Sequence, residues 1–472
     1  MTGIEEVLSE AGRRVTPNAS ERKRIEKLAK SMLARVQAEV QRARLDAEVR
    51  LDGSVAKDTW VSGEADIDIF MRVPVSIPRE HLGPICLEVA RKAADGSFQR
   101  ERFAEHPYLE TWVNGTRVNI VPCYKTKKGE WKSSTDRTPF HTEYANERLT
   151  DQTRREVRLL KRFMKGVGVY GAEIRTAGFS GYLCEVLTLK YRTFQNVIHS
   201  AAEKWAKNSV IDVEGHYKGR EDELPRLFDS PLITIDPIDR GRNLTASLSP
   251  DRLEEFKFAS RYFLANPFLD FFFPSKREAR SVQDVRRKMA EHGTSILFML
   301  FEAEEVVPDI MWGQLYRTQR SLSNALQQRD FSVVRSAAWS DEKRRHCLVF
   351  ELESSDLAAT RRYLGPSPIR VQDNQNFLHK HLNSPRRMSG PWIQQGRWAF
   401  QEKREIADAK SFLRDLALRQ GSKAGVGRIV ETSFKKKLEI LRNEEILSYY
   451  SENPEFAAFL SQYLDGRPIW LE

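Results

Sequence analysis

Residues 66–73, Asp-Ile-Asp-Ile-Phe-Met-Arg-Val, alternate polar and apolar and stop before Pro74. A period-two run of this kind reads as a half-buried strand. It opens on two carboxylates two residues apart, so Asp66 and Asp68 point to one face of a sheet. Upstream, a short strand candidate at 47–51 leads into the turn Asp52-Gly53-Ser54. Gly-Ser at a strand-to-helix turn lets backbone N–H groups and a hydroxyl face a phosphate. Two close carboxylates repel unless cations sit between them, and a pair of divalent ions about 3.5–4 Å apart makes the geometry useful. A Gly-Ser pair alone is common, and an Asp-x-Asp strand is often an exposed polar face. Both together, in strand–turn–helix–strand order, point to phosphate chemistry.

The surroundings fit an α/β first domain. Residues 19–45 carry Ile25, Leu28, Met32, Val36 and Val40 at helical spacing, and 79–95 also read as helix. Two alternating runs over 107–124 flank Asn114–Gly115, a strong two-residue hairpin signal. Helices follow over 151–165, with Gly166 as its cap, and from near Ser180 with Leu183, Leu187 and Tyr191 inward. Residues 203–273 read as helix and loop. Beyond 274 the pattern is again mixed, with strands at 294–302 and 346–353, helices at 312–328 and 404–419, and a loop at 365–376. A chain of 472 residues is too long for one core. Its predicted parts are an α/β domain over 1–145, a mostly helical domain over 146–273, a body over 274–310 and 388–472, and a tail over 311–387.

The net charge of +10 favours an acidic partner, and nucleic acid is the usual one. No segment is long and apolar enough to enter a bilayer, and the first residues, with Glu5, Glu6 and Glu10, do not read as a signal peptide. Cys86, Cys123, Cys184 and Cys347 lack any zinc spacing and read as buried thiols in a reducing cytoplasm.

The segment Gly53–Trp60 followed by Gly63–Asp68 resembles the signature of the DNA polymerase beta-like nucleotidyltransferase superfamily. Longer phrases resemble one branch, the archaeal-type (class I) CCA-adding enzymes. They are His106–Tyr108, Val121–Lys125, Asp136–His141, Glu156–Lys161, Val169–Glu173, Gly178–Glu185, Asp236–Asp239 with Arg242-Asn243, and Gly396–Trp398. The resemblance implies a polymerase-beta-like catalytic domain, a helical central domain, and α/β body and tail domains. It also implies template-independent addition of C, C and A to the tRNA 3′ end, using CTP and ATP with two Mg²⁺ ions, and a homodimer. By position, Asp66 and Asp68 would hold the metals, and Gly53, Ser54 and Lys57 would meet the triphosphate. His141, Lys161 and Tyr170 would contact nucleotide phosphates and sugar, and Arg242 the base. Without the family, Lys161 reads as a cation on a polar helix face after Arg158.

The family's third carboxylate falls at Asn119, an amide with no charge and no capacity to accept a proton as a base. Val55 and Lys57 stand where an aromatic and an arginine are usual. Lysine keeps the charge and loses the bidentate fork. With Asn114–Gly115 as the turn, Glu110 pairs opposite Asn119 and is a candidate to replace the missing charge. Arg117, on the same face, counts against this because it can quench Glu110. The expectation is a tRNA-repairing enzyme slowed at its chemical step. The alternatives are a tRNA-binding paralogue disabled at Asn119, or another RNA 3′-end transferase on the same scaffold.

Lys343–His346, Arg386-Arg387 and Lys435–Lys437, interleaved with Trp392, Trp398 and Phe434, are the candidate contacts to the tRNA acceptor arm. Binding through phosphate contacts and shape predicts an affinity for tRNA that falls steeply with salt; a salt-insensitive affinity in filter binding contradicts it.

Overall fold

The computed structural model describes residues 3–103, 105–275, 278–367 and 369–471. Contacts divide the chain into two units, residues 1–276 with 467–472, and residues 277–466.

The first unit begins with helices α1 (Ile4–Val15) and α2 (Ala19–Arg42). The Asn18 side chain caps α2 by accepting from the Glu21 N–H at 2.9 Å. Strand β1 (Glu48–Asp52), the one-turn helix α3 (Gly53–Ala56), β2 (Asp66–Val73), α4 (Arg79–Ala93), β3 (Phe98–Phe103), β4 (Pro107–Val113) and β5 (Thr116–Tyr124) follow. The sheet order is β1-β2-β5-β4-β3, with β2 and β5 parallel and the other pairs antiparallel. Alternation along β2 does what the sequence predicts. Ile67, Ile69, Met71 and Val73 join Ile25, Ala29, Met32, Val36 and Val40 of α2 in one core, which leaves Asp66 and Asp68 to the opposite face. The hairpin register is also as predicted, Val113 opposite Thr116 and Glu110 opposite Asn119.

The helical part comprises α5 (Thr138–Arg148), α6 (Asp151–Val167), α7 (Gly181–Tyr191), α8 (Phe194–Glu203), α9 (Leu224–Leu227) and α10 (Pro250–Ala265). Its core centres on Phe163, ringed by Phe194, Phe256, Phe263, Phe271 and Phe272 at 5.3–6.1 Å between centroids. Residues 203–273 are not only helix and loop. Short strands β6 (Ser209–Ile211), β7 (Leu232–Asp236) and β8 (Asp239–Asn243) form a sheet there. Every residue of β7 is buried, so it lacks the alternation that reveals a strand in sequence. The expected cap at Gly166 is displaced. Helix α6 runs on to Val167, and Gly168, at φ +89°, terminates it. Gly166 instead lies inside the helix, where a Cβ would come within 2.0 Å of the Phe271 carbonyl oxygen.

The second unit holds α11 (Val282–His292), β9 (Ser295–Glu302), α12 (Pro308–Gln328), β10 (Val333–Ser340), β11 (Arg345–Leu352), β12 (Thr360–Leu364), α13 (Val371–Leu382), β13 (Arg387–Gln394), β14 (Arg397–Lys403), α14 (Ala409–Asp415), α15 (Arg428–Lys436), β15 (Glu439–Arg442), α16 (Leu447–Glu452) and α17 (Pro454–Asp465). One sheet runs β10-β11-β9-β15 and a smaller one β12-β14-β13. The bounds drawn at 311 and 388 do not coincide with these sheets. β10 and β11 hydrogen-bond into the sheet of β9 and β15, while the small sheet spans residues 360–403. The 365–376 loop is interrupted by α13 from Val371, and the 404–419 helix starts only at Ala409. In the basic clusters, His346 and Phe434 are core residues at 1% exposure, unavailable to RNA. All four cysteines are free and buried.

Replacing Gly166 by Ala should cost about 3 kcal/mol through overpacking against the Phe271 backbone, and Gly168→Ala about 1–2 kcal/mol through its left-handed backbone. Thermal unfolding of the two variants checks the order, and an unchanged midpoint for Gly166→Ala would contradict the close approach.

Candidate active site

Strand β2 is the spine of the site. Asp68 pairs in register with Asp52 of β1 on one side and Asn119 of β5 on the other. Gly53, at φ +74°, begins α3 directly above it. A Cβ at Gly53 would lie 2.1 Å from Asp68 Oδ2, so only glycine lets the turn come this close. Ser54 follows in α3. Burial pushes the Asp68 carboxyl up to about 6; the Asn119 amide works against this, and the neighbouring Asp66 adds to it. Burial likewise pushes Asp52 up to about 6 despite Arg50 beside it.

Asn119 donates from Nδ2 to Asp68 Oδ1 at 2.8 Å. That orientation is forced, since the amide oxygen would repel the carboxylate. Asn119 Oδ1 is left buried with no hydrogen-bond partner. The carboxylates of Asp66 and Asp68 are oxygen donors of the kind a hard divalent cation such as Mg²⁺ takes, while the Asn119 oxygen is turned away from Asp68. The fit falls one charge short of three carboxylates. Among the described residues, no group of three or more His, Cys, Asp or Glu side chains could hold a metal ion.

Glu110 does not fill the gap. Its carboxylate accepts from Arg102 Nε at 3.0 Å and from Arg117 Nη1 at 3.5 Å, and it is 3% exposed. A buried carboxylate takes the nearest guanidinium in preference to facing a neutral amide. Arg117 in turn forks onto Asp66, Nε to Oδ1 at 2.9 Å and Nη2 to Oδ2.

A second cluster joins the α3 turn to the helices. Glu185, 1% exposed, accepts from Lys57 Nζ at 2.6 Å, Thr59 Oγ1 at 2.6 Å and Lys161 Nζ at 3.2 Å. Lys161 also donates to the Thr59 carbonyl and hydroxyl oxygens at 3.1 and 3.0 Å. Lys161 is therefore not on a polar helix face. It is 3% exposed, and Arg158 is buried too, bonded to the Trp60 carbonyl at 2.9 Å. Burial alone would push Glu185 up, but Lys57 and Lys161 outweigh it and hold the carboxyl below its usual range. Burial dominates at Lys161 and pushes its ammonium down. The Tyr170 hydroxyl lies over Gly181 near Lys161, where a Cβ on Gly181 would meet it at 2.8 Å.

A third cluster lines a cleft of about 690 Å³ together with Ser134, Arg137, Ser180 and Asn243. His141 Nε2 meets Asp236 Oδ2 at 2.9 Å, and Arg242 Nη1 donates to the same oxygen at 3.2 Å. The His141 ring stacks on Tyr182 at 3.8 Å between centroids, and Lys57 Nζ lies 5.4 Å from the Tyr182 ring centre. Tyr182 thus bridges the second and third clusters.

The structure brings together Gly53, Ser54, Asp66, Asp68 and Asn119; Lys57, Lys161 and Tyr170; and His141 with Arg242. Glu185, Asp236 and Tyr182 stood in the sequence only within the phrases that carry the resemblance, with no role given to them. The signal for Glu185 was present: a carboxylate on a helix otherwise built of Leu183, Cys184, Val186 and Leu187 must be paired if it is buried.

Three family models match the chain in order: "Nucleotidyltransferase domain" over residues 25–141, "tRNA nucleotidyltransferase, second domain" over 155–273, and "CCA-adding enzyme, C-terminal domain" over 292–443. The curated "CCA-adding enzyme" of Methanopyrus kandleri is 35% identical over 99% of this chain and 98% of its own length. That of Halobacterium salinarum is 34% identical over 99% and 100%. A solved cytoplasmic RNA terminal U-transferase covers 56% of this chain and 94% of its own, at 12% identity and a TM-score of 0.44.

Glu185→Gln leaves Lys57 and Lys161 buried without their counter-charge, and should destabilise the first unit by about 3–5 kcal/mol. A carboxyl whose folded pKa is lowered contributes stability that is present above its unfolded pKa and lost as pH falls through the folded one. The difference between parent and variant in urea unfolding should therefore hold from neutral pH down to about 4.5 and shrink below it. A difference that grows on acidification would refute the ion cluster.

Proposed function

The chain belongs to the CCA-adding enzyme family, and on that premise we propose that it builds and repairs the 3′-terminal CCA of tRNA from CTP and ATP. In each cycle the tRNA 3′ oxygen bonds to the α-phosphorus of the nucleotide, the bond to the β-phosphate oxygen breaks, and pyrophosphate leaves. The observation that carries the reading is the register that sets Asp68 between Asp52 and Asn119 under the Gly53 turn. It stands in a chain matched end to end by relatives of that name.

By the resemblance Asp66 and Asp68 would hold magnesium, and of the two Asp68, whose partner is the neutral Asn119 amide, is the one not forked by a guanidinium. When bound, magnesium neutralises the triphosphate and lowers the pKa of the attacking hydroxyl. Ser54, Lys57 and the Gly53 turn receive the triphosphate. Lys161, buried beside Lys57 on Glu185, supplies fixed positive potential that needs no reorganisation during the reaction. Tyr170 lies against it. The cleft of His141 and Arg242 takes base and sugar, with Asp236 orienting both side chains. Protein groups thus choose the nucleotide in place of a template. No helix among the described residues is long and apolar enough to cross a membrane, and we place the work in the cytoplasm, with the tRNA.

Asn119 offers an oxygen but neither charge nor basicity. It spares nucleotide binding and slows the chemical step. One observation favours a second reading, a tRNA-binding protein that has lost catalysis: the Arg117 fork already covers both oxygens of Asp66.

A tRNA transcript lacking its last three nucleotides, incubated with magnesium, should grow by two with CTP and by three with CTP and ATP. Asn119→Asp should accelerate the reaction on the order of 10²-fold, and Asp68→Ala should abolish it. No growth by the parent, with tRNA still bound and activity appearing only in Asn119→Asp, establishes the second reading.

A further inference from the structure

Asp66 and Asp68 are alike in sequence and unlike in their surroundings. The parallel register sets Arg117 directly across from Asp66, and Asn119 directly across from Asp68. Both oxygens of Asp66 accept from the Arg117 guanidinium, while Asp68 Oδ1 accepts from an uncharged amide. A guanidinium forked on a carboxylate is a charge-assisted pair with a fixed direction. Behind it, Glu110 contacts Arg117 at 3.5 Å and is itself held by Arg102 at 3.0 Å. The burial of Glu110 anchors the far side of the fork.

The charge balance follows from these positions. Asp66, Asp68 and Arg117 together carry a single net negative charge, where three carboxylates without a guanidinium would carry three. Two divalent ions a few ångströms apart repel strongly and need that negative charge to sit together. At this face Asn119 turns its Nδ2 toward Asp68, which directs its buried Oδ1 away from that carboxylate.

We propose that Arg117 is the second cation of this centre. Its guanidinium stays on Asp66 in the electrostatic place of one divalent ion, and one ion only is held, on the Asp68 side of the pair. This rests on the nucleotidyl-transfer reading above. A guanidinium donates hydrogen bonds to the oxygens of a reacting phosphate, which stabilises their charge. It cannot bind a hydroxyl oxygen and acidify it as a metal does. Arg117 is accordingly a positioning and charge-compensating residue, and the slow step assigned to Asn119 has a second source in it.

The test is electron paramagnetic resonance of Mn²⁺ with the full chain in excess over CTP and no tRNA. The parent should give only the uncoupled six-line signal of a lone Mn²⁺, even when two Mn²⁺ per chain are supplied. The Arg117→Ala/Asn119→Asp double variant should give the exchange-coupled spectrum of an ion pair. Glu110 keeps Arg102 in that variant. A coupled pair in the parent would show that a second Mn²⁺ displaces Arg117, and would overturn the proposal. An uncoupled spectrum in the double variant would overturn it too, since Arg117 would then not be what keeps the second ion out. Equilibrium dialysis of CTP under the same conditions separates the two levels of the argument. Bound CTP with either overturning spectrum refutes the role of Arg117 alone, whereas no CTP binding refutes the nucleotidyl-transfer reading itself.

Discussion

One buried carboxylate holds the catalytic strand–turn element to the helices that complete its site. Glu185, on α7, accepts from Lys57, Thr59 and Lys161, which come from the turn after α3, the loop beyond it and α6. An unpaired charge at that depth would cost several kcal/mol, so each partner is fixed by the need of the other two. Two ammonium groups are thereby held in place beside the Gly53 turn before any substrate arrives. Groups so preorganised do not reorient when phosphate charge develops, which is where their value to nucleotidyl transfer lies. The ring of Tyr182, between Lys57 and His141, extends the same anchor to the cleft of His141 and Arg242.

The metal face follows another logic, one of substitution. The β2–β5 register sets Asn119, the position at which the resemblance implies a third carboxylate, beside Asp68. The same register puts Arg117 beside Asp66. The two neighbours act together, since an uncharged amide beside Asp68 and a guanidinium on Asp66 both leave the face with less negative charge for divalent ions. Glu110, a rescue candidate from its place opposite Asn119, is drawn away by Arg102 and Arg117. Cross-strand position decides which side chains are neighbours, but the strongest available partner decides which of them pair.

The basic character of the chain is distributed in the same way. Of the clusters read as RNA contacts, Arg344, Arg386, Lys435 and Lys436 carry ion pairs to Glu302, Glu405, Glu431 and Glu304. Exposed pairs of this kind are weak and yield readily to a phosphate backbone. Phe434 belongs instead to the hydrophobic core, and His346 is buried with its Nδ1 against the Ser340 hydroxyl, because the helix and strand that carry them turn those positions inward.

Much of the catalytic half was legible in the sequence. The bounds of β2 and the full hairpin register were readable because strands with one buried face alternate, and because an Asn-Gly turn permits a single pairing. The fully buried β7 was not, and neither was the end of α6. Both lack a local signal, and Gly166 mimics a cap while serving a close contact with a distant backbone. By itself the sequence determined the alternating strands and the carboxylate pair, since these depend on period and residue type within a few positions, and the resemblance to the family marked Asn119 as the place of a missing third charge. Only the tertiary structure decided that Lys161 is buried, that Glu185 pairs with Lys57 and Lys161 and Asp236 with His141 and Arg242, and that Arg117 belongs to Asp66. Those are pairings of charges across long stretches of chain, and the low dielectric that makes them binding exists only once the chain has folded around them.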